Sequence, residues 1–267
     1  MTCKRDDVAE GLSERLLRCL EELDYRKDDL DIWTDSLEEL SEFEDAFEVD
    51  ERNRLHGKTI LDVGTDCVKP LYIALKFEAQ KIIGINEDLS PYSFASDIEK
   101  KTKLLTKTKI RFYDCSLFDE QNLKKILRKE KEDIFDFILL SKTLHHLRTG
   151  ECIAKKRDKK HDCLPDEESC IYKFEEQKIF RRLFRYGKRV IVYEAFCPEE
   201  DDDDKVRGRG GHFTKEEMKQ MFEHLSEHYR IEFIKPFKYR LTKRKLKKIE
   251  VELRKVDFVC FYVEEND

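Results

Sequence analysis

The sequence predicts an α/β fold: a mostly parallel central sheet with helices on both faces, an antiparallel terminal strand and a helical N-terminal extension. Three observations lead to it. After Gly57, short apolar runs alternate with helical stretches, which is the pattern of βα units. Each run is nearly all apolar, as expected of strands covered on both faces. The alternation breaks near the end of the chain, where two strand candidates can pair antiparallel at one edge of the sheet.

From Val8 to about Asp50 the chain is acidic, lacks proline and carries Leu12, Leu16, Leu20 and Leu23 at helical spacing, so residues 1–56 read as a helical extension. Within it Ser36 and Glu39 form a capping box, because hydroxyl and carboxylate each satisfy an unpaired backbone donor of a first helical turn. Residues 57–267 read as one domain. Strands are expected at 59–63, 81–85, 110–113, 135–140 and 190–193, and helices at 70–77, 92–101, 120–130 and 175–186. A second capping box, Thr214 with Glu217, starts a helix over about 215–228. Terminal strands are expected at 229–237 and 257–263. Between them Leu246, Ile249, Leu253 and Val256 sit at helical spacing with Lys and Arg opposite, which predicts a basic helix. Two polar insertions, 148–170 and 197–212, follow strands at the carboxyl edge of the sheet, where open α/β folds bind ligands.

A chain of 267 residues can bury one substantial core. Its 39% hydrophobic and 42% charged residues suit a soluble protein with a densely charged surface and exclude a membrane class. The charged start, Met1 to Asp7, has no apolar signal region, so a cytoplasmic location is expected. Nine cysteines, an odd number scattered from Cys3 to Cys260, fit reduced thiols better than a disulfide framework. The net charge of -6 argues against non-specific adhesion of the whole molecule to a phosphate backbone. Cys152, His161, Cys163 and Cys170 gather metal-binding side chains in one insertion. Their spacing lacks the close pairs of zinc fingers, so unligated thiols are expected and no metal is assigned.

The first strand ends in Asp62-Val63-Gly64, where the chain must turn sharply. A glycine there permits both the turn and close approach of a ligand to the backbone. The carboxylate of Asp62 is suited to hold the loop and attract a cationic ligand end. Here the sequence resembles the class I, Rossmann-like, S-adenosylmethionine-dependent methyltransferase family, whose first motif is an acidic residue, a spacer and a glycine-rich turn. Thr65-Asp66-Cys67-Val68-Lys69 stands where that family has further glycines, so Thr65, Asp66 and Cys67 must line or brace the loop. The missing glycines also disfavour a dinucleotide, whose pyrophosphate needs bare backbone.

The resemblance continues along the chain over roughly residues 58 to 263. After the second strand the family places an acidic residue on the ribose hydroxyls; Asn86 holds that position, followed by Glu87 and Asp88. Asp114 matches the carboxylate that accepts from the adenine amino group, with the backbone of Cys115 facing the ring. The run from Phe135 through Ser141 to Leu144-His145-His146-Leu147 is similar to the fourth strand and the leucine-histidine-histidine-leucine sequence of many family members. It lacks the Pro-Pro-aromatic sequence of base amino methyltransferases. The resemblance implies S-adenosylmethionine as cofactor, bound by Asp62, Gly64, Thr65, Asn86, Asp114, Cys115 and Ser141.

Methyl transfer from a sulfonium mainly requires alignment of nucleophile and methyl, and needs a base only when the nucleophile arrives protonated. His145 or His146, Glu194 and His212 are the candidates, although a histidine between Leu144 and Leu147 equally reads as a packing residue. A small-molecule or protein acceptor is expected. The alternatives are an RNA methyltransferase using the basic C-terminal helix with Arg181, Arg182 and Arg185, and a non-catalytic cofactor-binding or interaction protein.

Overall fold

A computed structural model describes residues 54–90, 92, 95–144, 147, 176–197, 213–240, 245–246, 249–250 and 256–266. The chain divides into two compact units between Asp133 and Ile134. The N-terminal extension up to residue 53 with its Ser36–Glu39 box, the insertions at 148–170 and 198–212, and His145, His146, His212, Cys152, His161, Cys163 and Cys170 lie outside the described residues.

The first unit contains β1 (Thr59–Val63), α1 (Val68–Phe77), β2 (Lys81–Asn86), α2 (Ala95–Leu105), β3 (Lys109–Asp114) and α3 (Glu120–Glu130). Its strands pair parallel in the order β3-β2-β1, the arrangement of one half of a doubly wound Rossmann-like sheet. β1 and β2 are buried along almost their whole length, which is why their sequences are apolar runs rather than alternating ones. β3 ends this order and is only partly buried. Glu99 of α2 completes it: Phe112 N–H donates to Oε1 at 2.8 Å, and Arg111 Nη1 donates to Oε2 at 2.7 Å. A carboxylate thereby closes a backbone donor on the last strand.

Pro70 lies in the first turn of α1, where a missing N–H costs no intrahelical bond. α3 has the bounds expected from the sequence, and Asp119 caps it by accepting from Asn122 N–H at 3.0 Å. Leu123, Ile126 and Leu127 face inward, and Lys131 at φ 59 turns the chain out of the helix. Buried Glu130 receives bonds from Lys109 Nζ and from the Tyr113 hydroxyl. Burial alone would raise its carboxyl, but these bonds outweigh burial and hold it below its usual range.

The second unit contains β4 (Phe135–Ser141), α4 (Glu176–Leu183), β5 (Gly187–Cys197), β6 (Phe213–Thr214), α5 (Lys215–Ser226), β7 (Tyr229–Arg240), β8 (Lys245–Leu246), β9 (Ile249–Glu250) and β10 (Val256–Glu265). The sheet order here is β4-β5-β10-β7, with β6 beside the end of β5. β4 and β5 are parallel, and β10 is antiparallel to both β5 and β7. The antiparallel terminal strands expected from the sequence are β7 and β10. α5 packs on α4 and on β5, β6 and β7, with Met218, Met221 and Leu225 buried and Phe222 edge-on to Phe261 of β10 at 5.0 Å.

The basic C-terminal helix is corrected. Lys245–Leu246 and Ile249–Glu250 are two short antiparallel strands, with Leu246 opposite Ile249. The β-branched Ile249 favours extended backbone over helix. Of the apolar positions whose spacing suggested a helix, Leu246, Ile249 and Val256 lie in strands, and Leu253 lies outside the described residues. Among the described residues no helix is long and apolar enough to cross a membrane.

Candidate functional site

The carboxyl ends of β1, β2 and β3 carry most of the residues marked by the sequence. Parallel pairing puts Asp62 beside Gly84 and Gly84 beside Phe112, one row across three strands. A Cβ at Gly84 would lie 2.6 Å from Phe112 Cδ1 and 2.9 Å from Thr65 Cγ2. The bare backbone at Gly84 thus lets both the Phe112 ring and the Thr65 methyl group pack close over β2. Through Thr65 the loop that follows β1 packs against Gly84.

That loop is closed upon itself. Gly64 sits at φ 73, a conformation that favours glycine. Gly64 and Thr65 N–H both donate to Ile85 O, at 2.8 and 3.1 Å. Cys67 N–H donates to Thr65 Oγ1 at 3.1 Å, and Val68 and Lys69 N–H both donate to Asp66 Oδ1 at 3.0 Å. Lys69 Nζ reaches Asp66 Oδ2 at 2.5 Å, with the lysine side chain only 4% exposed. Asn86 Nδ2 holds the same loop from β2 by donating to Thr65 O at 2.9 Å. The side chains that replace the expected glycines therefore brace the loop, and three of them do so by occupying the amino terminus of α1 or its counter-charge.

Asp62 faces this arrangement as a wholly buried carboxyl, 1% exposed. Its Oδ2 has no hydrogen-bond partner among the described residues. Burial, with the negative charge of Asp66, pushes its pKa up to about 7; the Thr65 hydroxyl and Lys69 oppose that rise. A buried anion without a full set of donors invites a cation. Burial and the surrounding carboxylates of Asp66, Asp62, Glu99 and Asp114 push the Cys67 thiol upward too, so it is an inert packing group.

The neighbouring strand ends are tied together. Asn86 Oδ1 accepts from Asp88 N–H at 3.2 Å, so both ends of this amide are already engaged. Asp114 is exposed and its Oδ1 accepts from Leu89 N–H at 2.7 Å. Cys115 N–H donates to Asn86 O at 2.7 Å, and burial raises its thiol to about 11. Exposed Glu87 accepts from the Ser116 hydroxyl at 2.5 Å. Asp62, Gly64, Thr65, Asn86, Asp114 and Cys115 are thus brought to one edge of the first unit.

In the second unit Ser141 ends β4 in register with Tyr193 of β5. Its hydroxyl is buried and has no hydrogen-bond partner among the described residues. Lys142 follows at φ 50 and donates its N–H to Tyr193 O at 2.7 Å, turning the chain away directly after the strand. Glu194 lies opposite Val259 within β5 and is completely buried. Among the described residues no group of three or more His, Cys, Asp or Glu could hold a metal.

Sequence reasoning marked Thr65 and Asp66 as bracing residues but not the Asp66–Lys69 pair, although an acid three residues before a lysine at a helix start is a local signal for it. It also missed Gly84. Only the register of β2 against β3 reveals that the Phe112 ring lies over that position.

No family model and no curated protein matches the sequence. Among solved structures the chain is similar to the YcgJ protein of Bacillus subtilis at 11% identity, covering 79% of this chain and 94% of that one, with a TM-score of 0.49. It is similar to a precorrin-6y C5,15-methyltransferase of Geobacter metallireducens at 9% identity, covering 80% and 86%, with a TM-score of 0.41. A third is TYW2 of M. jannaschii in complex with AdoMet, at 13% identity, covering 82% and 76%, with a TM-score of 0.37. Methyltransferases are thus among the structures it resembles, and at these identities the likeness is one of fold.

Proposed function

We propose that this chain is an S-adenosylmethionine-dependent methyltransferase acting on a small molecule or a protein. The observation that carries the reading is Asp62: a buried carboxyl with an unpartnered oxygen, at the carboxyl end of the first strand of a parallel βαβαβ unit. That orphaned oxygen fits the ammonium group of the cofactor. The braced helix start, by contrast, suits neither a pyrophosphate nor any other anion, because nearly all of its donors are engaged.

S-adenosylmethionine supplies a methyl group on a positively charged sulfur, with a neutral thioether as leaving group. Asp62 would orient the amino acid end. Asp114, with Oδ1 fixed by Leu89, would present its other oxygen to the adenine amino group. Because Asn86 is engaged by the loop, the ribose hydroxyls fall to Glu87, an exposed carboxylate steadied by Ser116. Cys115, whose N–H is bonded to Asn86, would contribute packing against the ring rather than a donor. Ser141 would offer its buried hydroxyl. His145 and His212 are the proposed bases for an acceptor that arrives protonated. Complete burial makes Glu194 a support for its strand pair in preference to a base.

The alternative of an RNA acceptor drew on a basic helix over a stretch in which Lys245–Leu246 and Ile249–Glu250 are paired strands, so a small-molecule or protein acceptor is preferred. Calorimetric titration tests the assignment. S-adenosylmethionine and S-adenosylhomocysteine are expected to bind at one site, and NAD not to bind. Absence of binding by S-adenosylmethionine would overturn the reading.

A further inference from the structure

We propose that the loop at residues 64–69 selects its ligand by the charge of one end, taking an ammonium group on Asp62 and giving no purchase to a carboxylate. The cofactor's amino group is then essential and its carboxylate dispensable. This rests on the cofactor reading above and adds which part of the amino acid end the loop recognises.

Nearly every hydrogen-bond donor at this loop is already engaged. A helix amino terminus ordinarily attracts anions through its bare N–H groups. Here the N–H groups of Gly64, Thr65, Cys67, Val68 and Lys69 all donate inside the protein, to Ile85 O, Thr65 Oγ1 or Asp66 Oδ1. Residue 70 is proline and has no N–H. Asp66 N–H alone has no hydrogen bond among the described residues, and it belongs to the residue whose own carboxylate repels an anion. The nearby side-chain donors are equally engaged: Lys69 Nζ by Asp66, and Asn86 Nδ2 by Thr65 O.

Charge points the same way. Asp62, Asp66, Glu99 and Asp114 all act on the Cys67 site as negative charges. Lys69 is already paired with Asp66, and Arg111 with Glu99. A carboxylate brought to this loop meets acceptors and negative field; an ammonium group meets the orphaned oxygen of Asp62. Asp66 is accordingly a specificity-determining residue: it blocks the helix start to anions while holding the loop in shape.

The test compares three ligands by calorimetry on the full chain: S-adenosylmethionine, its decarboxylated form, and the analogue lacking the amino group. Loss of the carboxylate is expected to change affinity by about threefold or less. Loss of the ammonium group should weaken binding roughly 10- to 100-fold, as for a charge-assisted hydrogen bond. Binding of S-adenosylmethionine with a tenfold or greater loss on decarboxylation overturns the inference and leaves the cofactor assignment standing. Failure of all three ligands to bind overturns both. In Asp66→Ala the Val68 and Lys69 N–H groups lose their internal acceptor, so the carboxylate-bearing ligand should gain about tenfold over the decarboxylated one. If that variant does not fold, Asp66→Ala/Lys69→Met releases the same N–H groups without leaving a buried cation. An unchanged ligand ratio in the folded variant contradicts the role given to Asp66.

Discussion

Asp66 bonds Val68 and Lys69 N–H through one carboxylate oxygen and the Lys69 ammonium through the other, so a single side chain caps α1 and neutralises a cation buried in its first turn. Removing it takes the acceptor from the Val68 and Lys69 N–H groups and the paired carboxylate from the buried Lys69 ammonium. Asp66→Ala is expected to cost about 3 to 5 kcal/mol, the range for breaking a buried pair. Asp66→Ala/Lys69→Met should recover part of that loss, because the buried ammonium that Asp66 neutralises is removed with it. Urea unfolding of both variants measures this. Equal losses in the two would show that Lys69 is not buried against Asp66.

Gly84 lies beneath both the Phe112 ring and the Thr65 methyl group, and a methyl group there would lie within 3 Å of both. Gly84→Ala must push the ring and the loop apart, at a cost of about 1 to 3 kcal/mol for overpacking. Because Thr65 belongs to the cofactor loop, ligand affinity should fall together with thermal stability. A variant of wild-type stability and affinity would contradict the described packing.

Asn86→Asp separates two roles for the same position. As a brace, Asn86 donates to Thr65 O, which a carboxylate cannot do. The substitution should then lower stability by about 1 to 3 kcal/mol and weaken cofactor binding. If residue 86 instead gripped the ribose directly, the acidic side chain would strengthen binding.

Asp62 makes stability depend on pH in a defined sense. Its carboxyl is raised from 3.8 to about 7 by burial, then by Asp66. Between those values the native state keeps a proton that the unfolded chain has lost. Stability therefore falls as pH rises through this window and levels off above it, by on the order of 4 kcal/mol. Asp62→Asn lacks this slope. Urea unfolding at pH 5 and pH 8 should show the variant gaining on the wild type at the higher pH; a constant difference would mean that the carboxyl is solvated.

Legibility in the sequence followed the range of the forces involved. β1 and α3 have the bounds expected of them, because apolar runs and caps are local signals. The paired strands Lys245–Leu246 and Ile249–Glu250 were not legible because a spacing of three or four between apolar positions suits a helix and does not by itself exclude short strands. β6 escaped notice because two residues, Phe213 and Thr214, carry no periodicity and become a strand only by pairing with Phe196 and Cys197. In the site, Asp62 and Gly64 were legible as a strand end and a turn. The engagement of Asn86 by Thr65 was not, because it depends on the approach of two strand ends distant in sequence.

The central claim is that Asp62 holds the cofactor. Calorimetric titration of S-adenosylmethionine into the wild-type protein and Asp62→Ala tests it most directly, with unfolding curves confirming that the variant is folded. One site on the wild-type protein and loss of measurable binding in the variant are expected. Equal affinity in the two proteins would contradict the claim.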